Sequence, residues 1–166
     1  MKNFKQSGFT LIELIIVIAI IALLAAATFV AVNPAKRIGD ANNAQRWSDV
    51  TAIADAYMNY LVDNVGVADT STGVTNGQTY YIQHTGAAAA TTPPTSCTGS
   101  TTVTTASPID LHGLVTAGYI GDIPDDPGGT DGDGTDYYFY TDAQGIVIVG
   151  SCTKYSGTTN YAKVIR

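Results

Sequence analysis

Apolar residues are spread unevenly along this chain. Residues 14–32, LIIVIAIIALLAAATFVAV, form one uncharged block. At helical rise such a block spans about 28 Å, close to the hydrocarbon thickness of a bilayer. Asn33-Pro34 follows it, and proline removes a backbone hydrogen bond and crowds the preceding turn, so an interruption is expected there. Beyond it Trp47, Val50, Ala54, Tyr57 and Leu61 recur at spacings of three and four. They define one apolar stripe of an amphipathic helix over about 36–63, with Asp49, Asp55, Asn59 and Asp63 off the stripe. The stripe is expected to pack on a sheet.

The pattern then shortens. Gly66, Gly73 and Asn76-Gly77 are turn signals, and TYYIQ (79–83) reads as a strand. Residues 85–107 are almost all Thr, Ala, Ser, Gly and Pro, a composition that buries little and predicts an exposed loop. Pro108 to Gly118, with Leu111, Leu114 and Val115, predicts a short helix stopped by Gly118. YYFYT (137–141) and IVIVG (146–150) predict a hairpin through Asp142-Ala-Gln-Gly145, and YAKVI (161–165) a last strand. The expected fold is α+β: one long helix, membrane-spanning in its first half and amphipathic in its second, packed on a small antiparallel sheet.

Composition narrows the function. Without residues 1–8 the chain has six basic and fourteen acidic side chains, a net charge of −8. Such an acidic body repels phosphate backbones and argues against a nucleic-acid partner. His84 and His112 are 28 positions apart with no nearby Ser or Cys arrangement, and no nucleophile–base pair, phosphate loop or metal-protease helix occurs. The chain does not read as an enzyme.

The most specific signal precedes the apolar block. Residues 1–8, MKNFKQSG, are short and basic, and Gly8-Phe9-Thr10-Leu11-Ile12-Glu13 leads into the block. Lys2 and Lys5 are expected to keep this leader on the cytoplasmic side of a single-pass membrane precursor, with the rest of the chain outside. Residues 1–32 resemble the class III leader and cleavage motif of type IV pilins and type II secretion pseudopilins. Leu114 to Pro127, LVTAGYIGDIPDDP, is a weaker echo of the segment leading into the C-terminal strands of pseudopilins and some pilins.

The resemblance implies a cleaved leader (1–8), a membrane and filament-core helix (9–35) and a globular head (36–166). It implies cutting between Gly8 and Phe9 by a prepilin peptidase/N-methyltransferase, methylation at Phe9, and assembly through Phe9 and Glu13. The partners implied are other copies of the chain, an assembly ATPase and a platform protein. The final location would be an extracellular filament or a periplasmic pseudopilus. Three functions fit: a type IV pilus-like fibre subunit, a pseudopilin of a type II secretion system, or a minor tip subunit acting as adhesin or DNA-uptake receptor. Many type IV pilins carry a proline nearer the middle of the apolar segment; here residue 22 is Ala and the first proline is Pro34.

Two further features remain. Cys97 and Cys152 lack CxxC spacing, and outside the cytoplasm they read as one disulfide, against the alternative of two buried thiols. Asp125–Asp136 holds five carboxylates interleaved with glycines. It is either a solvated acidic turn or a calcium loop with Asp131, Asp133 and Asp136 as ligands, and it is not an EF-hand.

Overall fold

The computed structural model describes residues 8–64, 66, 74–83, 107–129, 134–155, 157 and 160–166. The chain divides into two compact units, one ending at Ile38 and the other comprising Gly39–Arg166.

The first unit contains helix α1 (Leu11–Val32) and the opening of helix α2 (Pro34–Asp63). The interruption falls where the sequence places it. Asn33 adopts the left-handed conformation (φ 44°, ψ 75°) that terminates α1, and Asn tolerates this region better than other residues with a Cβ. Its carbonyl then accepts from the backbone N–H groups of Lys36 (3.1 Å) and Arg37 (3.3 Å), so one residue ends one helix and starts the next. Pro34 occupies the first position of α2, where its missing N–H costs nothing.

The second unit is α+β. Among the described residues it has five strands, β1 (Thr79–Gln83), β2 (Ser107–Asp110), β3 (Gly134–Thr141), β4 (Val147–Ser151) and β5 (Lys163–Ile165), in the order β2-β1-β3-β4-β5. Three pairings are antiparallel, as expected. The fourth, β1 with β2, is parallel, so the sheet is mixed. The β3–β4 hairpin is closed by Asp142, whose Oδ1 accepts from Gln144 N–H (2.9 Å) and Ile146 N–H (2.7 Å). Gly145 supplies a positive φ of 84°.

From Gly39 onward α2 packs on one face of this sheet. Val50, Ile53, Ala54 and Tyr57 bury against Tyr137, Phe139, Val147 and Val149. Tyr57 meets Phe139 edge-on (4.7 Å between ring centres, 70° between planes), an arrangement that adds about 0.5–1.5 kcal/mol to the burial itself. Gly39 is required by close approach: a Cβ there would lie 2.3 Å from the Tyr155 ring. On the opposite face Tyr81, Tyr138 and Cys152 form a smaller cluster, with the Tyr138 ring laid across Gly150 of the neighbouring strand.

The structure corrects three details. Trp47 does not pack into the core; it is 43% exposed on the flank of α2. Asp49, expected off the buried face, is buried (5% exposed). The segment read as one helix from Pro108 divides into β2 and a shorter helix α3 (His112–Thr116), with Gly118 at φ 82° after it. Residues 84–106, including His84 and Cys97, lie outside the described residues, as do Asp131 and Asp133.

Candidate functional site

The N-terminal segment is built by one local device. Thr10 is the N-cap of α1, with an extended backbone (φ −81°, ψ 150°). Its Oγ1 accepts from Glu13 N–H (3.3 Å), while Glu13 Oε2 accepts from Thr10 N–H (2.8 Å) and from Thr10 Oγ1–H (2.8 Å). This reciprocal capping box satisfies helix donors that lipid could not. It also holds the carboxylate over the positive end of the helix dipole. Glu13 is thereby folded back onto Thr10, the residue that follows Phe9. The Thr-x-x-Glu spacing is readable in the sequence, yet the leader motif alone gives Thr10 no role.

Gly8 and Phe9 precede the cap and are exposed, Phe9 at 91%. A Cβ at Gly8 would meet nothing within 4 Å. The fold therefore does not require glycine at this position, and any need for one lies with whatever acts on the bond.

Helix α1 is 22 residues long, apolar on all sides, and has no buried residue. By length and composition it can cross a membrane. Thr28 satisfies its hydroxyl by donating to Ala25 O (2.9 Å), so its polar group needs no water. Glu13 is the only charge in the helix.

In the head, the polar centre lies between α2 and the loop before β3. Arg46 donates from Nε to Asp126 Oδ2 (2.6 Å) and from Nη2 to Asp126 Oδ1 (2.7 Å), with side-chain exposures of 6% and 0%. Asp126 also accepts from Gly128 N–H (2.7 Å) and from the Thr153 hydroxyl. Burial pushes the Asp126 carboxyl up, but the bonds from Arg46, Thr153 and Gly128 outweigh it and hold the group below its ordinary range. The Arg46 guanidinium is pushed up, chiefly by its bond to Asp126. One turn along, Asp49 accepts from the Tyr137 hydroxyl (2.7 Å) and from Gln45 Nε2 (2.7 Å). Burial, then the bond to Asp49, pushes the Tyr137 phenol far up, so it stays protonated.

This pairing bears on the acidic run. Asp126 is committed to Arg46. Asp136 is buried (2% exposed), with a left-handed backbone (φ 59°) and its carbonyl accepting from Cys152 N–H (2.8 Å). Among the described residues no three His, Cys, Asp or Glu gather as a metal site. His112 is half-buried and its backbone N–H donates to Asp110 Oδ1 (2.8 Å). Cys152 is buried beside Tyr81 and Tyr138 and is not a free thiol.

A capped, largely apolar helix with no buried residue, beside an α+β unit with its own core, fits a membrane-anchored precursor. Residues 3–29 match the family described as the prokaryotic N-terminal methylation motif, the class III prepilin leader of type IV pilins and pseudopilins. The match supports a pilin- or pseudopilin-like structural subunit. No curated protein and no solved structure matches the chain significantly.

Proposed function

We propose that this chain is the structural subunit of a type IV pilus-like extracellular filament. Residues 1–8 stay on the cytoplasmic side, a prepilin peptidase cuts between Gly8 and Phe9, and the new amine at Phe9 is methylated. Residues 9–35 then leave the bilayer to form the filament core, and residues 36–166 face outward. Extraction and polymerisation require an ATPase and a platform protein to supply the work.

One observation carries the reading: α1 presents apolar side chains on every side and buries none of them. Drawn out of lipid, that surface has to be covered, and the same segment of other copies is the cover available. Glu13 then escapes an unpaired burial by meeting the Phe9 amine of a neighbouring copy, which sets the axial register of the bundle. In the head, a Cys97–Cys152 disulfide would tie the Thr-rich segment to the end of β4. A pseudopilus of a type II secretion system uses the same N-terminal chemistry, and a tip adhesin would use it with a different head.

The test is to shear filaments from cells producing the chain and measure the intact mass of the subunit. A fibre whose subunit begins at methylated Phe9 supports the proposal. Chain found only in the membrane and still beginning at Met1 refutes it. Fibres confined to the periplasm reassign the subunit to a pseudopilus.

A further inference from the structure

The head is strongly acidic, and its few exposed cations are gathered in one place. Residues 39–166 contain 4 basic and 13 acidic side chains, a formal charge of −9. One of the four cations, Arg46, is buried on Asp126. The other three, Lys154, Lys163 and Arg166, all fall in the last thirteen residues, around β5 and its approach, and all are exposed. Arg166 already donates to Asp55 (2.8 Å) through a half-exposed pair, and Lys154 lies over the Tyr161 ring (4.9 Å to its centre), which leaves Lys163, on β5 itself, as the cation on which the edge depends most. Among the described residues β5 is one edge of the sheet and β2 is the other. The segment that starts at β2, residues 107–129, contains no Lys or Arg; it presents Asp110, Asp122 and Asp125 to solvent.

The basic edge is also apolar. Ile165 is 54% exposed and Ile146 is 41% exposed. Ile148 lies directly opposite Ile165 across the β4–β5 pair, so the two share the face that α2 does not cover. Ile146 adjoins Val147, whose backbone exchanges two hydrogen bonds with Arg166 (2.9 Å each). This edge therefore combines exposed isoleucines with the only surface cations of the unit.

We propose that the β5 edge, through Lys163, Arg166, Ile146 and Ile165, docks on the Asp110–Asp122 side of the head of a second copy of this chain. The argument is electrostatic. Bodies of charge −9 repel one another when brought together at arbitrary faces, and contact of the basic edge with the cation-free acidic side replaces that repulsion by attraction. Because the two surfaces lie on different parts of one head, the contact is heterologous, and a heterologous contact that does not close generates an open helical assembly. The proposal rests on the filament reading and adds to it a head-to-head contact with a defined direction. A lysine on an edge strand also discourages strand-to-strand pairing, which either sign of charge would do. Lys163→Glu separates the two roles, since it keeps the edge charged and reverses only the docking sign.

The experiment uses filaments of the full processed chain, assembled from a mixture of unlabelled and ¹⁵N-labelled copies. Carbodiimide treatment joins Lys amines to carboxylates in direct contact. Lys163 linked to Asp110 or Asp122 in peptides of mixed isotope content is expected. In parallel, Lys163→Glu and Asp110→Lys/Asp122→Lys should each lose most surface filaments, and the triple variant should recover them. Normal filament yield from Lys163→Glu, or Lys163 links confined to single-isotope peptides, overturns the docking proposal while leaving the polymer intact. Absence of filaments from the unmodified chain overturns the filament reading itself, and this proposal with it.

Discussion

Asp126→Ala is the substitution whose cost the structure defines best. Asp126 and Arg46 are joined by two charge-assisted bonds of 2.6 and 2.7 Å, and both side chains are withdrawn from water. Removing the carboxylate takes from the buried guanidinium its bidentate partner, leaving only the weaker attraction of Asp136, and strands the Gly128 N–H and the Thr153 hydroxyl that had donated to it. Breaking a buried pair from one side costs about 3–5 kcal/mol, a large part of the total stability of a small domain. For a unit of this size that corresponds to a fall in Tm of about 10–20 °C. Trp47 is the only tryptophan and lies next to Arg46 in the chain, so its fluorescence in detergent-solubilised protein reports the transition locally. Arg46→Ala/Asp126→Ala should be less destabilised than the sum of the two single variants, because the double variant removes both members of the bidentate pair together. Acid gives an independent check. The Asp126 pKa is depressed in the fold, so its stabilisation is fully present above the ordinary carboxylate pKa of about 4 and is lost as pH falls through the lower folded value. Asp126→Asn should therefore flatten the acid limb of the Tm–pH curve. A Tm fall of less than about 3 °C for Asp126→Ala, or strictly additive single variants, would refute this account.

Other expectations follow from the same geometry. Gly8→Val should leave the head folded, since a Cβ at Gly8 meets open space, yet should block leader removal; immunoblots showing mature-size chain would contradict this. Glu13→Ala should insert at least as well as the unmodified chain, because a carboxylate in an apolar helix is costly, but should yield no filaments by electron microscopy. Tyr137→Phe strands a buried Asp49 oxygen and should cost about 1–3 kcal/mol in chemical denaturation, with little change in the denaturant slope. Unreduced denatured protein should show no labelling of Cys97 or Cys152 by maleimide, and reduction should lower Tm; labelling of both thiols without reductant would exclude the pairing.

What could be read from sequence was local. The apolar block, the Asn33-Pro34 break, the Asp142–Gly145 turn and the β1, β3 and β4 strands each depend on a few consecutive residues whose conformational preferences agree. The prepilin leader is local too, and its match at residues 3–29 needs nothing from the fold. Tertiary structure decided whatever depends on partners brought from a distance. Arg46 and Asp126 are 80 residues apart, and Asp49 and Tyr137 are 88 apart, so no spacing rule links them. Helical periodicity marked Asp49 as off the buried stripe because it scores a carboxylate as polar. The Tyr137 hydroxyl and the Gln45 amide make its burial tolerable, while Trp47 stays 43% exposed. β2 escaped notice because four residues containing Pro108 carry little strand signal by themselves; its parallel pairing with β1 is what makes it a strand. A short segment takes its conformation from the edge it finds, and the edge exists only once the chain has folded.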